Sequence, residues 1–171
     1  GIAGLASPLV GRSRELSNLA ETLADARAGR GSIVAIVGEA GLGKSRLIAE
    51  WCKLALAGDM PARWVEGRCL SYTMNVAHHL SNDILRGLCG APAGAHDEET
   101  RSSLEGCLAA LPAAERDEVY PFLAHLLGLA LDEAAANRVR YLDGAALQAR
   151  YVSAYQRFLL ALARDQATII V

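Results

Sequence analysis

The sequence predicts an α/β fold: a parallel sheet, truncated after its third strand, with a helical insertion between the second and third strands. Three observations carry this expectation. A β-branched run, Ser32-Ile33-Val34-Ala35-Ile36-Val37, leads through a glycine-rich turn straight into a helical pattern. Two more short apolar runs, Ala62–Glu66 and Ala167–Val171, have strand character. Everything between those two runs reads as helix or loop.

From the N-terminus, Ser13 is a plausible N-cap, and Leu16, Leu19, Ala20, Leu23 and Ala24 form an apolar stripe. Gly29 and Gly31 end that helix. The first expected strand, Ser32–Val37, lies between Gly31 and Gly38. A helix follows, with Leu47, Ile48, Trp51, Leu54 and Ala55 at helical spacing, and Gly58 terminates it. After the second strand, Gly67–Tyr72 is a loop. Val76, Leu80, Ile84, Leu85 and Leu88 mark a helix, and the Pro- and Gly-rich stretch 91–96 is a linker. Asp97 is placed to cap the next helix, whose apolar face is Leu104, Cys107, Leu108 and Leu111. Glu115–Leu127 is helical with a break at Pro121, because proline lacks the N–H that a helix interior needs. A short helix spans Asp132–Leu142. Asp143 caps a long one lined by Leu147, Tyr151, Ala154, Tyr155, Phe158, Leu159 and Leu162.

The turn after the first strand carries the chemistry. Gly38-Glu39-Ala40-Gly41-Leu42-Gly43-Lys44-Ser45 matches the P-loop pattern G-x-x-x-x-G-K-[ST] at every fixed position. A triphosphate is a dense anion, and glycines let backbone N–H groups approach it closely. The helix that begins at the loop adds its positive dipole end. Lys44 is expected to reach the β and γ phosphates, and the Ser45 hydroxyl to ligate Mg²⁺. Lysine is otherwise scarce, Lys53 being the only other one. The competing reading is a glycine-rich strand-to-helix turn with a solvated lysine.

Composition sets the bounds. The chain has 171 residues, 52% hydrophobic and 21% charged, enough to bury one sizeable core. Its net charge of -2 offers no electrostatic argument for nucleic acid or an anionic membrane. No run reaches the roughly 18 apolar residues of a membrane span. Cys52, Cys69, Cys89 and Cys107 are scattered, with Cys52 and Cys107 on apolar helix faces, which favours buried thiols in a reducing cytosol over a metal site or disulfides. His78-His79 has no ligand partner at metal spacing, and His125 reads as a hydrogen-bonded core histidine. Asp97-Glu98-Glu99 and Glu115–Glu118 read as acidic helix starts. Arg68 and Tyr72 lie in a loop that can face a nucleotide, or can simply be solvated.

Val10-Gly11-Arg12 upstream of the glycine loop, Glu66–Tyr72 after the second strand, Leu126-Leu127-Gly128-Leu129 and Leu142-Asp143-Gly144 together resemble a known family. It is the AAA-like ATPase module of STAND signal-transduction NTPases. Bacterial versions occur in large LuxR-type transcription regulators and beside adenylate/guanylate cyclase domains, usually followed by TPR-like repeats. The resemblance covers nearly the whole chain. It implies a P-loop NTPase core in which the strand at Ala167–Val171 lies between the first two, with ATP and Mg²⁺ as ligands. Residues 1–171 are then a single incomplete domain: 1–72 the N-terminal helix, loop and second strand, 73–166 the helical insertion, and 167–171 the truncated Walker B strand. Carried over by position, the nucleotide-binding residues are Gly38 through Ser45 with Arg46, plus Val10, Gly11 and Arg12 near the adenine; Ser45 is the metal residue. The Walker B acids expected after the third strand fall beyond Val171, so no catalytic acid is assigned. The implied role is a cytoplasmic ATP-binding switch whose partners are output and repeat domains of its parent chain, with self-association open and no direct nucleic-acid or membrane binding. Two alternatives stand beside it: a small-molecule P-loop kinase, for which neither acceptor pocket nor acid is identifiable, and a helical interaction module with structural nucleotide.

Overall fold

A computed structural model of the chain describes residues 11–69, 78–92 and 94–171. In order, the elements are α1 (Ser13–Arg27), α2 (Lys44–Leu56), β1 (Arg63–Val65), α3 (His79–Leu88), α4 (Asp97–Leu108), α5 (Ala113–Leu126), α6 (Glu133–Arg140), α7 (Gly144–Asp165) and β2 (Thr168–Ile170). Among the described residues the fold is mixed, mainly helical, with one short two-stranded sheet. Arg63 N–H donates to Ala167 O at 2.7 Å, Val171 N–H to Val65 O at 2.9 Å, and Gly67 N–H to Val171 O at 2.7 Å. Partner numbers rise together along both strands, so the pair is parallel. This arrangement is consistent with a P-loop-like α/β fold.

The first expected strand is not formed. Ser32–Val37 has no regular structure, Ile33 is 100% exposed and Val37 91% exposed. A strand exists only as part of a ladder that pairs its backbone groups. Among the described residues no ladder includes this run, so its β-branched side chains stand in solvent without a sheet face. The strand at Ala167–Val171 pairs with β1 but not with Ser32–Val37, which corrects its expected place between two strands.

The chain divides into two compact units. One comprises the segment through Trp64 together with Gln166–Thr168. Its core is built where α1 meets α2, from Leu19, Leu23, Leu47, Trp51 and Ala55, with Ala62 buried beside them. Trp51 meets Trp64 edge to face, with ring centroids 5.2 Å apart and planes at 84°. That geometry suits the aromatic quadrupoles. Arg27, in the last turn of α1, donates to Ala55 O and Ala57 O, serving carbonyls that the end of α2 leaves without helical donors.

The other unit comprises Val65–Asp165 and Ile169–Val171. It has the larger core, in which Leu85, Leu104, Leu108, Leu123 and Phe158 are fully buried. Gly87 explains how α3 comes so close to β1: a Cβ there would lie 2.7 Å from Val65 Cγ1. Thr100, also buried, accepts from Arg86 Nη1 at 2.9 Å. Arg101 joins helices by donating to Tyr120 Oη and to Ala130 O, both at 2.7 Å.

Local expectations fared unevenly. Pro121 does not break its helix: α5 runs unbroken across it. The missing N–H would have served Asp117 O four residues back, and Arg138 Nη1 donates to that oxygen instead, at 2.9 Å. Asp97 is the first residue of α4, not its cap, and His96 precedes it with no side-chain cap bond. Asp132 and Asp143 do cap, accepting from Ala135 N and Ala146 N at 2.8 Å each. His78 lies before α3 in the left-handed region, at φ 61. The cysteines are less buried than expected: Cys69 is exposed and Cys52, Cys89 and Cys107 are half-buried. No described helix is long and apolar enough to cross a membrane.

Candidate functional site

The glycine loop leads directly into α2, which begins at Lys44. Gly41 and Gly43 take left-handed backbones, at φ 84 and φ 80. Only glycine does this without a Cβ penalty, so the sequence spacing of the two glycines sets the loop's shape. Gly43 is the N-cap of α2 and has no side chain to occupy the first-turn N–H groups. A helix leaves those groups without intrahelical acceptors, available to an anion. Gly38 is also confined, since a Cβ there would come within 3.3 Å of Leu42 Cδ1.

Lys44 is half-buried, not fully solvated. Its Nζ donates to Gly38 O and Glu39 O, each at 2.8 Å. The side chain thus turns back along the loop it follows and ties the loop's first carbonyls to the start of α2. An ammonium has three donors, and the two carbonyls leave one for a ligand oxygen. Ser45 is exposed in the first turn of α2, and Arg46 is half-buried beside it. Glu39, Ala40 and Leu42 complete the loop and are exposed, with Leu42 N–H reaching Glu39 O at 3.4 Å.

Arg12 belongs to the same unit and reaches this loop. Its Nη2 donates to Leu42 O at 3.1 Å, and its Nη1 pairs with Glu15 Oε1 at 2.6 Å. Arg12 therefore links the start of α1 to the middle of the loop. Gly11, just before it, has φ 73. The arginine holds the Glu15 carboxyl below the ordinary 4.5, mainly by this hydrogen bond and then by a backbone bond within Glu15 itself. Val10 lies outside the described residues, as do Leu70, Ser71 and Tyr72 of the loop after β1. Arg68 pairs with Glu66 at 3.5 Å, and its N–H donates to Asp83 Oδ2 at 3.1 Å.

Away from the loop, His125 proves exposed, not a core residue, yet its Nδ1 lies 2.5 Å from Tyr151 Oη. His78 packs edge to face on the same tyrosine, at 5.4 Å between centroids. Tyr151 and Phe158 are buried, and Tyr155 is half-buried, as core positions of α7. The hydrogen bonds that Lys44 and Arg12 make to loop carbonyls were not readable from residue types. The motif identified the residues, but the acceptors are backbone oxygens and carry no sequence signature.

The loop's left-handed glycines, the helix start behind them and the lysine folded along it form a backbone cradle of the kind that suits phosphate. A family model described as AAA ATPase domain matches residues 8–171, nearly the whole chain. Searches of curated proteins and of solved structures return no match. The chain belongs to the AAA ATPase domain family.

Proposed function

We propose that this chain is the nucleotide-binding module of an ATP-dependent signal-transduction switch. Family membership carries the coarse part, nucleotide binding by a P-loop module. The observation that carries the site is the conformation of residues 38–45. Left-handed Gly41 and Gly43 bend the backbone, and Lys44 Nζ lies 2.8 Å from two loop carbonyls with one donor to spare. These residues fit a nucleotide's phosphates. Backbone N–H groups around Gly41–Ser45 would surround them, Lys44 would offer a point charge, and Ser45 would supply a hydroxyl ligand to Mg²⁺. Bound Mg²⁺ would shield the phosphate charge, while Arg12 steadies Leu42 and with it the loop's middle.

The finer assignment is to the STAND type, as found in large LuxR-type regulators and cyclase-associated ATPases of bacteria. It rests on the Val10-Gly11-Arg12 motif and on the residues after the second strand. In this reading the helices between β1 and β2 are an insertion in the P-loop core. The module works in the cytoplasm, and nucleotide occupancy biases output and repeat domains of the parent chain.

Calorimetric titration with Mg-ATP tests the site. Lys44→Ala is expected to weaken binding by at least about tenfold, from loss of a charge-assisted bond. The fold should survive, since the lysine contacts only loop carbonyls; far-UV circular dichroism checks this. Equal affinity in mutant and parent would remove the loop from consideration as the nucleotide site.

A further inference from the structure

Helix α7 carries Arg150, Ser153, Ala154 and Arg157 at three- and four-residue spacing, so these side chains share one face. That face lines a cavity of about 310 Å³ within the larger unit. Across it, α5 contributes Glu118, Val119 and Phe122, and the last turn of α6 contributes Arg138. Val119 is 1% and Phe122 7% exposed, so the cavity has an apolar floor.

The rim is charged and unbalanced. Three guanidiniums meet a single carboxylate, in a chain whose net charge is -2. Arg157 Nη1 pairs with Glu118 Oε2 at 2.5 Å. Arg138 is held by Asp117 O, a neutral acceptor that leaves its charge uncompensated. Arg150 has no hydrogen-bond or ion-pair partner among the described residues. The excess is thus two positive charges on Arg138 and Arg150, standing over aromatic and aliphatic surface. Isolated surface arginines are ordinarily solvated, but these two share an apolar-floored cavity with a third. Planar guanidiniums match carboxylate and phosphate oxygens in paired bonds.

We propose that this cavity binds a small organic dianion, either a phosphate monoester or a dicarboxylate. Its apolar body would rest on Phe122 and Val119, and its anionic oxygens would face Arg150 and Arg138, with Ser153 offering a hydroxyl donor. The cavity's volume lies at the small-molecule end of ligand sites. This reading is independent of the glycine loop, because every residue it uses lies on α5, α6 or α7.

Calorimetric titration of the whole chain with phenyl phosphate, with phthalate and with benzoate tests it. Saturable binding of both dianions is expected, with the monoanion benzoate at least about tenfold weaker. Arg150→Ala should weaken both dianions by about tenfold, and Arg150→Lys by less, since it keeps charge but loses the fork. Arg150 is exposed, so neither variant should disturb the core, and circular dichroism verifies the fold. Lys44→Ala should leave both affinities unchanged. Phenyl phosphate binding lost in Lys44→Ala but kept in Arg150→Ala would locate the anion at the glycine loop and overturn the proposal. Failure of both dianions to bind would also overturn it. So would an acidic peptide that binds through Arg150 more tightly than either dianion, since the cavity would then be part of a protein-docking face.

Discussion

Arg138 Nη1 donates to Asp117 O at 2.9 Å, the oxygen that Pro121 leaves without its helical donor. A side chain from α6 thereby repairs the backbone of α5, and the helix continues where proline alone would end it. Arg138→Met should cost about 1 kcal/mol, the net worth of one such bond. Pro121→Ala returns an N–H to position 121, so the same Arg138→Met change should then cost distinctly less. Urea unfolding of the four proteins gives the coupling. An identical cost in both backgrounds would mean that the bond does not substitute for the helical one.

Gly87 sets two effects against each other. Ala is favoured over Gly in helices, by about 1 kcal/mol in an interior and by less in the last turn of α3, where Gly87 lies. A Cβ at 87, however, would lie 2.7 Å from Val65 Cγ1, on a side chain 5% exposed. Overpacking of that kind costs roughly 1–3 kcal/mol, so Gly87→Ala should destabilise. With Val65→Ala as background the obstruction is gone and Gly87→Ala should stabilise. Thermal melts of both pairs will show whether the sign reverses.

Removing Arg12 should weaken Mg-ATP binding, though less than removing Lys44, because Arg12 holds the loop only at Leu42 O. The same substitution changes how stability depends on pH. The Glu15 carboxyl is held below its ordinary 4.5, mainly by Arg12, so its contribution is present above that pH. It is lost as pH falls through the lowered folded value. Parent and Arg12→Ala should therefore differ at neutral pH and converge in acid. The difference will be small and salt-sensitive, since the pair is exposed. Denaturant midpoints at the two pH values, with and without added salt, measure it.

At the alkaline end the relevant group is Tyr155. Burial, and secondarily Cys89, raises its pKa above the ordinary 10.0, and its hydroxyl donates to Ser81 O at 3.1 Å. A raised folded value means stability that is complete below the unfolded pKa and declines as pH rises past it. Tyr155→Phe should flatten that alkaline decline while lowering stability at neutral pH by about 1 kcal/mol through the lost hydrogen bond. Melting temperatures followed from neutral pH upward test both parts.

How much could be read in advance follows from how local each cause is. The cap at Asp143 acts over three residues and was legible, whereas Asp132 was read only as the start of its helix and the structure showed it to be the cap. Also legible were the strand runs at Arg63–Val65 and Thr168–Ile170 and the apolar face of α7. Pro121 was misread because its compensation comes from Arg138, in another helix and invisible to any local rule. Ser32–Val37 was misread because β-branched composition states a preference, whereas a strand needs a partner. At the glycine loop the motif named the residues, while Lys44's turn back onto Gly38 O and Glu39 O depends on three-dimensional closure. Arg12 entered through its family-like motif, and only the structure supplied its acceptor at Leu42.

The edge-to-face pair of Trp51 and Trp64 has an optical consequence. These are the chain's two tryptophans, and both belong to the unit that contains the glycine loop. Excitation at the indole band therefore reports on that unit alone and is silent about the larger helical one. Rings 5.2 Å apart at 84° are also close enough for their transitions to couple, giving a near-ultraviolet dichroism signal that vanishes once the pair separates. Emission then reads one unit while far-ultraviolet ellipticity sums the helices of both, and only if their unfolding curves coincide does the chain melt as one.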